Sequence, residues 1–158
     1  MQAIAKAILK TIIVTVFILL FMNMVYFFPW YMTMITETFH ISQLVANDNY
    51  LKQSYYDESL NRLRERPIFR ERKYDIEIIV LNESGSRAVG YDDESLYEYS
   101  TDFSKPYRQR GSPITVEIKA NYPLSLTLWG NRIEGIDIPA SFSLTTFGLK
   151  HYKDLEYN

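Results

Sequence analysis

The residue types that most often carry chemistry are scarce in this chain. His40 and His151 are its two imidazoles. One lies in an apolar-periodic stretch near the N-terminus and the other in the C-terminal tail, so they have neither metal-ligand spacing nor the pattern of a catalytic triad. The acidic run Asp92-Asp93-Glu94 has oxygens for a hard cation, but it lacks the alternating ligands and the turn glycine of a calcium loop and reads as a solvated loop. There is no cysteine, which excludes disulfides, thiolate metal sites and a thiol nucleophile. No glycine-rich phosphate cradle, His-Glu-x-x-His pair or Gly-x-Ser-x-Gly elbow occurs. Asn82-Glu83-Ser84 fits a glycosylation acceptor, a tripeptide that is common by chance. The expectation is a non-catalytic protein with no cofactor and no metal.

With catalysis set aside, the distribution of charge becomes the informative feature. The 158 residues suit one globular unit with an appendage, and a net charge of −2 gives no attraction to nucleic acid. Positions 1–36 contain no Asp or Glu and only two charged side chains, Lys6 and Lys10, while every other charge follows from Glu37 onward. This division predicts two solvents, lipid for the first part and water for the rest.

From Ile8 to Tyr31 the chain is almost wholly large and apolar, long enough at about 1.5 Å per residue to cross the roughly 30 Å hydrocarbon core of a bilayer. Lys6 and Lys10 mark one end, while Tyr26, Phe27, Phe28, Trp30 and Tyr31 mark the other as an interfacial aromatic belt. The positive-inside rule then puts the N-terminus in the cytoplasm and the rest outside, a single-pass arrangement in contact with membrane lipid. A cleavable signal peptide has a shorter apolar region followed by small residues, and a buried core helix of this length needs a larger protein around it. Thr11, Thr15 and Asn23 fall on one side of the helix at about 100° per residue. They form either a helix-packing stripe or a set of side chains bonded back to their own helix.

Ile35, Phe39, Ile41, Leu44, Val45 and Leu51, followed by Tyr55, Tyr56, Leu60 and Leu63, keep a mostly helical spacing. They predict an amphipathic stalk that Asn47-Asp48-Asn49 could break and Pro67 ends. Near its end, Arg62, Arg64, Arg66, Arg70, Arg72 and Lys73 fit either a contact with anionic headgroups or a helix terminus complementing its dipole. Beyond it, Tyr74, Ile76, Ile78 and Val80 alternate with polar residues. Ile114, Val116, Ile118, Ala120 and Tyr122 do so strictly, Pro123 marks a bend or an edge, and Leu124, Leu126 and Leu128 resume the period. A turn at Trp129-Gly130-Asn131-Arg132 leads to Ile136, Ile138, Ala140, Phe142 and Leu144, which predicts an antiparallel hairpin. The stretch from Gly90 to Gly111 reads as a long tyrosine-rich connection with a short helix at Asp93 to Tyr99, and the tail is expected at the surface. The thirteen tyrosines and nine phenylalanines suit either protein contact or the filling of a thin core.

The fold class expected is α+β, with a membrane anchor over 1–33, a stalk over 34–66 and an extracytoplasmic antiparallel sheet over 67–158. The order of parts, with Gly-Ser-Pro-Ile-Thr-Val-Glu-Ile-Lys at 111–119 and Ile-Pro-Ala-Ser-Phe-Ser-Leu-Thr-Thr at 138–146, resembles the TadE-like family of minor pilins and pseudopilins. The resemblance implies a pilin-like structural subunit of a bacterial surface filament, secretion or conjugation apparatus. It implies partners that are further copies or other pilin-like subunits, packed through their N-terminal helices. The alternative consistent with the same features is a bitopic accessory or sensor protein with a protein-binding domain outside the membrane.

Overall fold

The computed structural model of the protein describes residues 2–128 and 131–155. Helix α1 runs without interruption over Gln2–Asp48, with Pro29 in its interior. Its buried residues Trp30, Met34, Glu37, Thr38, Ile41, Ser42 and Val45 follow helical spacing and form one stripe, whereas the residues before Phe27 have little cover. Asn49 ends the helix in the left-handed conformation at φ 58°, which asparagine tolerates better than most residues.

The stalk expected over 34–66 is therefore two helices. After the short strand β1 (Leu51–Lys52), helix α2 covers Gln53–Glu65, and a 3₁₀ segment follows at Pro67–Arg72. Lys52 pairs with Asp48, Arg62 with Glu37, and Phe69 packs tilted against Trp30. Contacts that descend α1 as the chain ascends show that α2 and the 3₁₀ segment return antiparallel to α1. The N-terminus of α2 has no cap from Lys52; Asp92 Oδ1 accepts from the Ser54 N–H at 3.0 Å instead and fills that role.

Strand β2 (Glu77–Asn82) is followed by the two-residue β3 (Val89–Gly90), which pairs parallel with β1. The long strands β4 (Pro113–Leu128) and β5 (Asn131–Phe147) complete a three-stranded antiparallel sheet of order β2-β4-β5. The strict alternation around Ile114–Tyr122 appears as expected: Ile114, Val116, Ile118, Ala120 and Tyr122 are buried. Ile138, Ala140, Phe142 and Leu144 lie opposite Tyr122, Ala120, Ile118 and Val116. Helix α1 covers this face, and the other face carries Thr115, Glu117, Lys119, Ser141, Ser143 and Thr145 toward water. A helix layer on one apolar sheet face is the economical way to bury both stripes.

Pro123 is both things its chemistry suggested. The pairing β4 makes with β2 ends at Lys119, and the β4–β5 register shifts between Pro123 and Ser125, as a bulge does. A Cβ on Gly135 would collide with the Leu124 carbonyl, so this crossing needs glycine. Of the expected turn, Trp129 and Gly130 lie outside the described residues, and β5 already begins at Asn131. The short helix expected at Asp93 to Tyr99 is a 3₁₀ turn over Glu94–Tyr97.

The expectation of a superficial tail is overturned. Tyr152 and Leu155 are buried with Tyr50 and Tyr107 in a second, smaller core. The tail carries enough aromatic surface to repay its ordering, so it packs where a polar tail would stay free.

Candidate anchoring and assembly surface

The N-terminal half of α1 is exposed and apolar all round. Consecutive residues Ile12, Ile13 and Val14, and then Val16, Phe17 and Ile18, all present large surfaces, so no single side is reserved for a core. The helix is long and apolar enough to cross a membrane. Lys6 and Lys10 are exposed one turn apart near its start. Within the polar stripe, Thr11 Oγ1 donates to the Ala7 carbonyl and Asn23 Nδ2 to the Leu19 carbonyl, each at 3.0 Å. The Thr11 hydroxyl and one of the two Asn23 amide N–H groups are thus bonded back to their own helix. Thr15 is exposed beside them.

The aromatic group at 26–31 divides in two. Tyr26 and Phe28 are exposed, but Trp30 is only 1% exposed, with ring centroids 5.3 Å from Tyr122, 5.4 Å from Phe69 and 5.6 Å from Phe27. Tyr31 is half-buried and donates to the Ser141 carbonyl at 3.2 Å. Trp30 and Tyr31, expected at a lipid interface, are therefore part of the domain. The hairpin is long enough to reach down α1 and cover them: Tyr122 Oη donates to the Asn23 carbonyl at 3.1 Å. Aromatic residues suit an interface and a core equally, and sequence does not separate the two.

The polar groups singled out for chemistry are engaged in holding the fold. His40 Nδ1 lies 3.2 Å from Arg62 Nη1, which also donates to the buried Glu37 at 3.1 Å. His151 Nδ1 lies 2.9 Å from Gln109 Oε1, so each imidazole meets a different side chain. Of the acidic run, Asp92 caps α2, Asp93 Oδ1 accepts from the Ser95 N–H, and Glu94 receives Lys150 Nζ at 2.6 Å. Those carboxylates diverge, and among the described residues no three His, Cys, Asp or Glu groups could hold a metal ion. The bonds from Ser54 and Ser95 hold Asp92 and Asp93 below the usual carboxylate range. Asn82 of the glycosylation pattern is buried, and its Oδ1 accepts from the Ser84 and Ser86 N–H groups.

The end of the molecule far from the apolar helix is closed by a tyrosine clasp that sequence reasoning missed. Tyr107 and Tyr152 stack at 4.0 Å, and Tyr50 lies 5.8 Å from Tyr107. Tyr152 Oη donates to the Asp48 carbonyl at 2.7 Å and Tyr107 Oη to Asp154 Oδ2 at 2.8 Å. Burial, and then the nearby carboxylates, push all three hydroxyls far above the ordinary phenol range. Burial alone would raise Asp154, but bonds from Lys105 and Tyr107 outweigh it and leave the carboxyl low. Lys105, itself buried, is lowered by desolvation and raised more by Asp154 and Asp102.

No protein-family model, curated protein or solved structure matches the chain. Function is argued below from geometry and composition.

Proposed function

We propose that this chain is a membrane-anchored, pilin-like structural subunit that assembles with like subunits through the exposed half of α1. One observation carries the reading: a single helix is apolar and uncovered over 2–18, is only partly covered from there to 26, and forms the core of a sheet domain over 30–45. Half of one continuous rod is thus free for lipid or for other helices, and the other half displays the domain. The layout agrees with the resemblance to TadE-like minor pilins and pseudopilins. On this reading the N-terminus is cytoplasmic and the sheet extracytoplasmic, as the positive-inside rule suggests from Lys6 and Lys10 at the start.

The Thr11 hydroxyl and one Asn23 N–H bond back to their own helix, so contacts between anchors rest on close side-chain packing, with the second Asn23 N–H left to add a polar contact. The test exploits the absence of native cysteine. Single cysteines placed along 11–24 and oxidised in native membranes should cross-link with helical periodicity, to a second copy or to another subunit. A chain that stays monomeric in membranes and in mild detergent, with no partner recovered at any position, would overturn assembly and leave the bitopic accessory reading.

A further inference from the structure

The 3₁₀ segment Pro67–Arg72 lies far along the sequence from the anchor but beside it in space. Pro67, Ile68 and Glu71 form one wall of a groove whose other wall is Leu19, Met22, Asn23 and Tyr26 of α1. Phe69 is the fixed point, buried against Trp30. In a 3₁₀ helix, residues three apart share a side, so with Phe69 and Arg72 seated on the domain, Ile68 and Glu71 share a second side and Pro67 and Arg70 a third, while Arg66 precedes the helix in an extended conformation. Ile68 is 43% exposed, and Arg66 and Arg70 are exposed as well.

The basic cluster of this region is not uniform. Arg62 is paired with Glu37 and Glu58, Arg64 donates to the Lys73 carbonyl, and Arg72 pairs with Asp137. Arg66 and Arg70 have no hydrogen bond or ion pair among the described residues. Two guanidinium groups therefore flank an exposed isoleucine on a segment whose height is set by α1.

That height is the decisive quantity. A hydrocarbon core takes about 20 helical residues, and a span beginning between Lys6 and Lys10 leaves the bilayer close to Tyr26–Trp30. The groove occupies the same level. On an adjoining side of α1, Leu124 and Ile138 border Leu20, Met24 and Phe27, so apolar residues of the sheet reach this height too.

We propose that this collar rests on the outer bilayer surface, with Arg66 and Arg70 binding phosphates of anionic lipids and Ile68 entering the interface. The proposal rests on the anchor reading above and adds a lipid-binding surface to it. Continuity with the apolar half of α1 and the two uncommitted cations select lipid as the occupant. Arginine suits phosphate oxygens because it offers a planar fork of donors, and each cation near an anionic surface contributes about 1 kcal/mol, roughly fivefold in affinity.

Site-directed nitroxide labelling of the full chain in vesicles tests this. Labels are placed on Ile13→Cys, Ile68→Cys and Tyr99→Cys, in phosphatidylcholine alone and with phosphatidylglycerol added. The expected result is that the label at 68 collides more with oxygen than with a water-soluble nickel chelate, and lies deeper when phosphatidylglycerol is present. The label at 99, on a fully exposed tyrosine, should favour the chelate. Adding Arg66→Gln and Arg70→Gln, both at exposed positions, should abolish the phosphatidylglycerol-dependent shift. A label at 68 that reads water in both lipids while the label at 13 reads hydrocarbon overturns the collar alone, as does a shift that survives loss of both arginines. A label at 13 that reads water overturns the anchor itself.

Discussion

The side-chain amide of Asn49 occupies the space that a Cβ on residue 148 would need: such an atom would fall 2.6 Å from Oδ1 and 2.8 Å from Nδ2. The same amide donates to the carbonyls of Arg108 and Lys150 and accepts from the Lys150 N–H. One side chain at the end of α1 thus fastens the last strand and the long connection to the helix. Gly148→Ala should displace it and lower stability by about 1–3 kcal/mol, as overpacking does. Thermal unfolding in detergent should show the loss, while Gly85→Ala, where a Cβ meets nothing but φ is 75°, should cost less.

Trp30→Ala should remove about 3–5 kcal/mol, the usual cost of truncating a large core aromatic. Tyr26→Ala, at an exposed position one turn earlier, should leave the unfolding midpoint of the domain nearly unchanged. Calorimetry of the two variants decides whether the domain begins before residue 30.

Glu37 is buried while its partner Arg62 is about one-third exposed and also held by Glu58. Arg62→Met should therefore destabilise by roughly 2 kcal/mol, below the full cost of orphaning a buried charge, because water reaches the site. Glu37→Leu combined with Arg62→Met should recover much of the loss, and urea unfolding of the single and double variants measures the recovery.

The tyrosine clasp sets an alkaline limit. Tyr50, Tyr107, Tyr152 and Lys105 all hold their protons more tightly when folded. Their contribution is complete below the unfolded values of about 10 and declines as pH rises beyond them. Asp154 has the opposite sign: its folded value is depressed, so its contribution holds above about pH 4 and is lost as pH falls through the folded value. Tyrosinate absorbance should show a late group that ionises together with loss of tertiary circular dichroism, and this group should be smaller in Tyr50→Phe and Tyr107→Phe. Tyr107→Phe should leave the acid limb in place but weaken it, by removing one of the two bonds that hold Asp154 low.

The long, strongly patterned elements were legible from sequence because one principle dominates each of them. Ile114–Tyr122 and Ile138–Leu144 alternate over many residues, and burial of one sheet face forces that pattern. The apolar run of α1 was legible for the same reason. What escaped depended on contacts between distant residues. Asn49 reads as a helix breaker, yet its partners lie at 108 and 150. Tyr152 looks like part of a polar tail until Tyr50 and Tyr107 are brought beside it. Trp30 reads as part of an interfacial belt because the reach of a hairpin down a helix depends on strand length and register, which composition does not encode. The arginines at 62–72 read as one group, and only packing divides those committed within the domain from those left outward.

Because the helical run of α1 continues through Pro29 and enters the domain as its central rod, anchor and domain share one element. A lean of the buried segment is handed on in full to whatever stands above it. Over the 18 or so residues beyond Trp30, about 27 Å at the usual rise, a lean of about 20°, typical of single spans, would swing the tyrosine-capped summit sideways by about 9 Å. Height and bearing of the displayed sheet are then dictated from below, by the company the lower shaft keeps.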